Sequence, residues 1–219
     1  MAFGVYVFDA YGTLFDVHAA VRRHAEAIGP QWPAFSDVWR AKQLEYSWVR
    51  ALMERYRDFW TLTEEALDHA FARFPDVDRG LRARLLEAYE RLDHYPEVPA
   101  VLTALRAAGA RTAILSNGSP GMLASAVASA GIGEAIDEVL LVDALATYKT
   151  RETVYELVTT RFRVFPEDVS FQSSNRWDVA GASAFGFRTV WINRGGAPDE
   201  YADLPPAAVL PTLEGLPDL

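Results

Sequence analysis

The pattern of hydrophobic and polar positions divides the chain into three stretches. A short apolar run at residues 5–8 predicts a buried strand near the N-terminus. Residues 16–95 follow a helical pattern without a strand signal. From residue 98 to residue 192, short apolar runs alternate with helical segments, which is typical of a parallel sheet with βαβ crossovers.

These patterns predict an α/β fold, a doubly wound parallel sheet (Rossmann-like core) with an inserted helical cap domain. The core domain is predicted at residues 1–15 and 96–219, and the cap domain at residues 16–95. Predicted helices in the cap are 18–28, 37–58, one beginning with a capping box at 61–64, and 80–92. Predicted core helices are 98–108, 120–130, 150–162 and 179–185, and predicted strands are 111–115, 138–142, 168–172 and 188–192.

Composition narrows the functional classes. The chain has 219 residues, a net charge of −9 and no Cys. The acidic balance argues against a nucleic-acid partner, and the lack of Cys excludes thiol catalysis and disulfide scaffolds. No signal sequence precedes the first strand and no apolar run is long enough for a bilayer, so we expect a cytoplasmic protein without a membrane partner.

The second predicted helix carries an apolar stripe at a spacing of four: Leu44, Trp48, Leu52 and Tyr56. Arg40 stands four residues before Leu44 on the same face. Two interpretations stay open at this point. The arginine stem packs on the core while its head reaches water, or the side chain faces a cleft.

Polar residues follow the predicted parallel strands, where ligands bind in open α/β sheets. They are Asp9, Ser116, Asn117, Lys149, Asn175 and Asp178. Each has a local explanation, because Asp9 could cap a turn and Asn175 could cap the last helix. Since strand ends of one sheet share an edge, we expect all six to converge.

The stretch Asp9-Ala10-Tyr11-Gly12-Thr13-Leu14-Phe15-Asp16 resembles the first motif of the haloacid dehalogenase (HAD) superfamily, whose first Asp is a nucleophile. Phosphatases of that superfamily have a second acid where this chain has Tyr11. The chain resembles the L-2-haloacid dehalogenases nearly end to end. Further matching pieces are Trp39-Arg40, Lys42 to Tyr46, Asp58-Phe59-Trp60, Ile114 to Gly118, Tyr148-Lys149, Tyr155 and Ser173 to Asp178.

The resemblance implies a hydrolytic dehalogenase with a HAD-like fold that forms a covalent aspartyl ester. Asp9 attacks C2 of an L-2-haloacid with inversion, and Arg40 and Asn117 receive the halide. The product is a D-2-hydroxy acid. The other implied binding residues are Phe59 as an apolar wall, Ser116 and the backbone amides near Ala10 and Tyr11 for the carboxylate, and Tyr11, Leu44 and Trp177 around the alkyl group.

The resemblance also implies how the ester is hydrolysed. Asp178 assists a water molecule that attacks the Asp9 carbonyl, together with Lys149, Ser173 and Asn175, while Thr13 and Tyr155 orient the network. Tyr11 and Asn175 stand where phosphatases place magnesium-binding acids, so no metal or other cofactor is expected. Similar enzymes are homodimers, and Tyr46, Trp48 and Tyr56 offer a contact surface.

The chain departs from the family pattern at three places. Thr150 replaces a Pro after the lysine, so we expect at most a shifted loop there. Ala41 replaces a Gln after Arg40, which affects the expected substrate size. Leu141 replaces a Ser, which we interpret as variation in the core.

Three other functions stay open from the sequence. The same nucleophile could open the C–N bond of azetidine-2-carboxylate. A magnesium-dependent phosphatase fits less well because of Tyr11 and Asn175. A non-catalytic protein that binds small acids is the third class, and the retention of Asp9, Lys149 and Asp178 argues against it.

Overall fold

One parallel sheet forms the centre of the molecule, for which a computed structural model describes residues 3–219. Its strands are β1 (Val5–Phe8), β2 (Arg111–Ser116), β3 (Glu138–Leu141), β4 (Val169–Ser173), β5 (Arg188–Ile192) and β6 (Ala208–Leu210). Their order is β3-β2-β1-β4-β5-β6. The predicted α/β class and doubly wound sheet are therefore confirmed.

β1 lies at the point where the strand order reverses. Val5 pairs with Arg111 of β2 on one side and with Val169 of β4 on the other. All four residues of β1 are buried, which matches its uninterrupted apolar sequence. A residue that follows β1 therefore lies at the topological switch point, where open α/β sheets bind ligands.

Five helices occupy the segment after β1: α1 (Ala19–Arg22), α2 (Ala25–Ile28), α3 (Trp32–Leu52), α4 (Phe59–Arg73) and α5 (Arg82–Glu90). Within residues 16–95, all of which the structure describes, the elements are helical and none is a strand. α3 packs against α4 through an aromatic cluster in which the Phe35 and Phe71 rings lie 5.2 Å apart. The division of the chain into two domains stays a prediction.

Four helices connect the remaining strands: α6 (Val98–Ala107), α7 (Pro120–Ala130), α8 (Glu152–Phe162) and α9 (Arg176–Phe185). α6 packs on β2, and α9 packs on β4, β5 and α8. In the described part of the chain, no helix is both long and apolar enough to span a bilayer.

The chain leaves the sheet region after β1 and returns to it at one place. Phe15 and His94 form an antiparallel bridge. The amide of Tyr95 donates to the carbonyl of Leu14 at 3.0 Å, and the amide of Asp16 donates to that of Asp93 at 2.9 Å. The two connections of the helical segment are thus paired by backbone hydrogen bonds.

The predicted stripe on the second helix is wrong. The buried side chains of α3 are Phe35, Ser36, Trp39, Gln43 and Ser47, one position away from the predicted set, and Leu52 is 78% exposed. The reason is that polar residues fill the inner face. Gln43 is buried because it accepts a hydrogen bond from Tyr89 and donates one to Thr63.

Several predicted element boundaries are also wrong. Residues 18–28 form two short helices rather than one, and α3 covers Trp32–Leu52 rather than 37–58, ending where Glu54 adopts a left-handed backbone (φ 55°). α4 begins earlier than predicted because Asp58 caps it, accepting from the Thr61 amide at 3.0 Å. α8 begins at Glu152, two residues after the predicted start.

The last part of the chain brings two further differences. α9 begins at Arg176 rather than at residue 179, so Asp178 lies within its first turn. Asn175 precedes the helix but makes no side-chain cap. β6 is absent from the predicted strands, because its three apolar residues form a very short run between prolines, in a segment whose composition is typical of a proline-rich tail.

Candidate active site

Asp9 follows β1 directly, and both oxygens of its carboxylate accept hydrogen bonds from side chains. Its amide donates to the carbonyl of Gln172 at 2.9 Å, which continues the pairing with β4. One carboxylate oxygen, Oδ1, accepts from the Lys149 ammonium at 3.1 Å. The other, Oδ2, accepts from Thr13 at 3.1 Å, Asn175 at 2.8 Å and Ser173 at 3.4 Å.

The turn after Asp9 fixes that geometry. The Ala10 carbonyl accepts from the amides of Leu14 and Phe15 at 2.9 and 3.0 Å, which folds the turn back on itself. Gly12 has a φ of +95°, and a Cβ at this position would lie 2.9 Å from the Ser174 hydroxyl. Thr13 in turn accepts from the Ser174 amide at 2.8 Å, which ties the turn to the end of β4.

Lys149 links Asp9 to a second buried carboxylate. Its ammonium donates to Asp178 Oδ2 at 2.8 Å, and the other oxygen, Oδ1, accepts from the Tyr155 hydroxyl at 2.9 Å. The side chains of Lys149 and Asp178 are fully buried. A buried lysine is stabilised by charged carboxylates beside it, and Lys149 contacts two of them, so the three groups form one electrostatic unit.

The ionisation of this unit follows from burial and charge. Burial, the largest influence, raises the pKa of Asp178 to about 6; Lys149 works against this shift and the Asp9 carboxylate adds to it. Burial alone would lower the pKa of Lys149, but the Asp178 and Asp9 carboxylates together outweigh it and the pKa is raised. Lys149 therefore stays charged at neutral pH.

A small pocket opens onto Asp9. Its lining residues are Asp9, Tyr11, Arg40, Leu44, Phe59, Ser116, Asn117, Asn175 and Trp177. The free volume is about 10 Å³, and one water molecule needs about 10–15 Å³. In this conformation the pocket therefore has room for about one water molecule.

Two hydrogen-bond donors line this pocket, the guanidinium of Arg40 and the side-chain amide of Asn117. Arg40 donates to two uncharged acceptors, the Tyr11 carbonyl at 3.3 Å and the Gln43 side chain at 3.4 Å. Asn117 uses its carbonyl oxygen to accept from the Lys149 amide at 3.0 Å, which leaves its NH₂ group for another acceptor. Of the two interpretations of Arg40, the geometry favours the one in which it faces a cleft.

The structure brings the predicted site residues together. All nine lining residues belong to the predicted set, and Thr13, Lys149, Ser173, Tyr155 and Asp178 lie behind Asp9 in the hydrogen-bond network. Ala10 is buried and does not line the pocket. Ser116 accepts from the Gly118 amide at 3.0 Å. The roles assigned to these residues stay predictions.

Several residues that support the site are missing from the predicted set. Tyr89 stacks on Tyr11 with ring centroids 5.9 Å apart and an interplanar angle of 13°. Tyr89 also bonds to Gln43, which holds Arg40. Gln43 could have been found from its position three residues after Arg40 on a helix. Tyr89 has no such signal, because only the packing of α5 brings it to the site.

The departures from the family pattern lie outside the pocket. Ala41 is exposed on α3 and is not among the lining residues, so the expected effect on substrate size has no structural support. Thr150 is exposed, and the peptide bond between Lys149 and Thr150 is cis.

The four His residues do not combine with other residues into a potential metal-binding cluster within residues 3–219.

Comparisons with known proteins agree with one another. A family model for haloacid dehalogenase-like hydrolases matches residues 3–186. The chain is 50% identical over 214 residues to (S)-2-haloacid dehalogenase 1 of Pseudomonas sp. (strain CBS-3), covering 97% of this chain and 94% of that one. A dehalogenase crystal structure matches with a TM-score of 0.97 and 44% identity, covering 100% and 97% of the two chains.

A further solved structure is relevant to the chemistry. It is the L-2-haloacid dehalogenase from Xanthobacter autotrophicus with chloropropionic acid covalently bound. The match has a TM-score of 0.88 and 38% identity, and covers 99% of this chain and 98% of that one.

Proposed function

Because the chain belongs to the haloacid dehalogenase-like hydrolase family, we propose that it converts short-chain L-2-haloacids to D-2-hydroxy acids and halide. The resemblance to the L-2-haloacid dehalogenases is confirmed by the relatives at 44–50% identity. The observation that carries the proposal is the Asp9 carboxylate, held by four side chains at the wall of a narrow pocket that also contains Arg40 and Asn117.

The first step is a displacement at carbon. An oxygen of Asp9 forms a bond to C2 of the substrate while the carbon–halogen bond breaks and the halide leaves with the electron pair. Attack from the opposite side inverts C2. The Arg40 guanidinium and the Asn117 NH₂ group stabilise the departing halide, and exclusion of water leaves the Asp9 carboxylate more reactive.

The second step is hydrolysis of the ester. Water attacks the carboxyl carbon of Asp9, and Asp178 accepts a proton from that water. Lys149, which touches both carboxylates, stabilises the negative charge of the tetrahedral intermediate. Cleavage of the bond between that carbon and the ester oxygen, with transfer of the proton from Asp178 to that oxygen, releases the hydroxy acid, whose new hydroxyl oxygen comes from Asp9.

Isotope labelling tests this mechanism. In a single turnover with excess enzyme in ¹⁸O-water, the label should enter the Asp9 carboxylate, and the product hydroxyl should stay unlabelled. Mass spectrometry of the peptide that contains Asp9 and of the product measures both. Label found first in the product hydroxyl would show that water attacks the substrate directly.

The variant Asp9→Asn should lose nearly all halide release, since the amide has similar size but is a poor nucleophile. Asp16→Asn is the matched control, because Asp16 belongs to the same motif but accepts hydrogen bonds from His18 and Arg22 instead of from site residues. Halide release from both enantiomers of 2-chloropropanoate measures the effect. Equal activity of the two variants would contradict the proposal.

The enzyme is proposed to act without a metal ion. The Lys149 ammonium lies between the Asp9 and Asp178 carboxylates, where a metal cation would otherwise balance their charge, and Asn175 presents an NH₂ donor to Asp9. Activity should therefore persist in excess EDTA. Loss of activity in EDTA that only Mg²⁺ restores would contradict this assignment.

We further propose that residues 16–95 form a cap domain over the site and that the protein is a homodimer. The supporting observation for a cap is that Arg40, Leu44 and Phe59 from this segment line the Asp9 pocket. The cytoplasmic location expected from the sequence stays a prediction.

A further inference from the structure

Trp177 lines both the narrow Asp9 pocket and a much larger cavity. The larger cavity has a volume of about 540 Å³ and lies along α9. Among the described residues, Trp177 is the one side chain that lines both spaces. A change in the position of this indole ring would therefore join the two.

The large cavity suits hydrocarbon and disfavours an acid. Besides Trp177, most of its lining is apolar or small: Trp48, Ala180, Gly181, Ala184, Phe185, Tyr201 and Leu204. Thr150 and Glu152 are its other lining residues. The carboxylate of Glu152 would repel the acid group of a substrate, whereas the apolar walls would favour an alkyl chain.

Trp48 holds Trp177 in place. Its ring meets that of Trp177 edge to face, with centroids 5.4 Å apart and an interplanar angle of 81°. Trp48 lies on α3, four residues after Leu44 and eight after Arg40, so one face of α3 carries all three toward the site. The contact joins α3 to α9, and movement of one helix against the other would release Trp177.

We infer that the contact between Trp48 and Trp177 limits the length of the alkyl chain in the substrate, with the cavity beyond Trp177 as the subsite for a longer chain. Trp177 would act as a specificity residue because it lines the pocket that holds Asp9, and Trp48 as a positioning residue that acts through it. The inference rests on the proposed function and on the position of Trp177 in the lining of the Asp9 pocket, where the resemblance places the alkyl group of the substrate.

The test compares two substrates within each variant. Trp48→Ala should raise the ratio of kcat/KM for (S)-2-bromohexanoate over (S)-2-bromopropanoate by at least about tenfold, because hydrocarbon pockets discriminate by roughly that factor for each methylene. The ratio is insensitive to the fraction of folded enzyme, which affects both rates equally. Trp32→Ala is the matched control, since Trp32 begins the same helix and lines neither space.

A ratio within twofold of the wild-type value in Trp48→Ala would overturn the inference. Trp48→Phe keeps an aromatic ring and should give an intermediate ratio, and it carries the test if Trp48→Ala does not fold. Trp177→Phe should raise the ratio directly, because a phenyl ring is smaller than the indole ring between the two spaces. A ratio that changes equally in Trp32→Ala would also overturn the inference.

A binding measurement separates failure of this inference from failure of the proposed function. Calorimetry with propanoate and hexanoate, which carry no halogen, should show that Trp48→Ala gains affinity for hexanoate relative to propanoate by a similar factor. Absence of bromide release from both (S)-2-bromopropanoate and (S)-2-bromohexanoate by the wild type would refute the proposed function. Unchanged relative affinity in Trp48→Ala would refute the chain-length role alone.

Discussion

At the scale of single residues, the charge on Asp9 controls the basicity of Asp178. The two carboxylates share the Lys149 ammonium, and the negative charge of Asp9 contributes to the raised pKa of Asp178, about 6, after the larger effect of burial. In the proposed mechanism, formation of the ester removes that charge. Asp178 should therefore have a lower pKa in the intermediate than in the free enzyme, and be deprotonated at the time it must accept a proton.

The pH dependence of ester hydrolysis tests this coupling. Because a raised pKa keeps the acid protonated at low pH, the rate should fall on the acid side, by up to tenfold for each pH unit. Its midpoint should lie below about 6, the pKa of Asp178 in the free enzyme. Single-turnover hydrolysis of the ester between pH 4 and pH 8 gives the midpoint. A midpoint at or above about 6 would show that ester formation does not change Asp178.

Six site residues could be predicted because parallel strands of one sheet end at the same edge. They are Asp9, Ser116, Asn117, Lys149, Asn175 and Asp178, whereas most of the others, Ser173 among them, were expected from the resemblance to the L-2-haloacid dehalogenases. Tyr89 and Gln43 could not be predicted in this way. Their contribution depends on the packing of α5 against Tyr11 and on a buried hydrogen bond, and neither leaves a periodic signal in the sequence.

At the scale of elements, α9 carries both the proposed base, Asp178, and a close contact with α8. Asp178 lies in its first turn, and Gly181 follows three residues later, almost one turn further on. A Cβ at Gly181 would lie 2.6 Å from the Tyr155 hydroxyl and 2.7 Å from Thr150 Cβ. The missing side chain thus allows Tyr155 to approach α9 and donate to Asp178.

Gly181→Ala should therefore reduce both activity and stability. We expect a loss of about 1–3 kcal/mol in the free energy of unfolding from overpacking, and about a tenfold slower ester hydrolysis as the Tyr155 hydrogen bond is displaced. Gly121→Ala is the control, because Gly121 is helical and a Cβ added there would enter open space. It should gain about 0.5–1 kcal/mol. Equal behaviour of the two variants would contradict this explanation.

The sequence predicted whether most elements are helices or strands better than it predicted which helix face is buried and where each element begins and ends. The β1 run and the alternation after residue 98 are strong signals, since buried strands are continuously apolar. The inner face of α3 escaped prediction because buried Gln43 and Ser47 make it polar by composition. Periodicity cannot reveal a polar residue whose hydrogen bonds are all satisfied inside the protein.

At the scale of the whole molecule, the end of α3 presents an apolar surface. Val49, Leu52 and Met53 are 44%, 78% and 52% exposed and lie next to one another on the last turn. Contiguous exposed apolar residues mark interaction surfaces. Of the aromatic residues expected at a dimer contact, Trp48 is 37% exposed, whereas Tyr56 is turned inward and donates to Asp143 at 2.6 Å.

Leu52→Glu should dissociate the proposed homodimer, because it places a charge in an apolar contact. Sedimentation at micromolar concentration should show a dimer for the wild type and a monomer for the variant. Phe165→Glu is the matched control, since Phe165 is 72% exposed but precedes β4 and lies outside α3. A monomeric wild type, or a dimeric Leu52→Glu variant, would contradict this surface.

The paired connections at Leu14–Tyr95 and Asp16–Asp93 have a consequence for how the chain folds. β1 must find β2 across a loop of about 100 residues. Once the helical segment has closed on itself, its adjacent ends reduce that loop to about 25 residues. Two halvings of a loop lower the entropy cost of closure by about 1.2 kcal/mol. Early folding of the helices would therefore speed the pairing of β1 with β2, and hence the placement of Asp9 beside its partners.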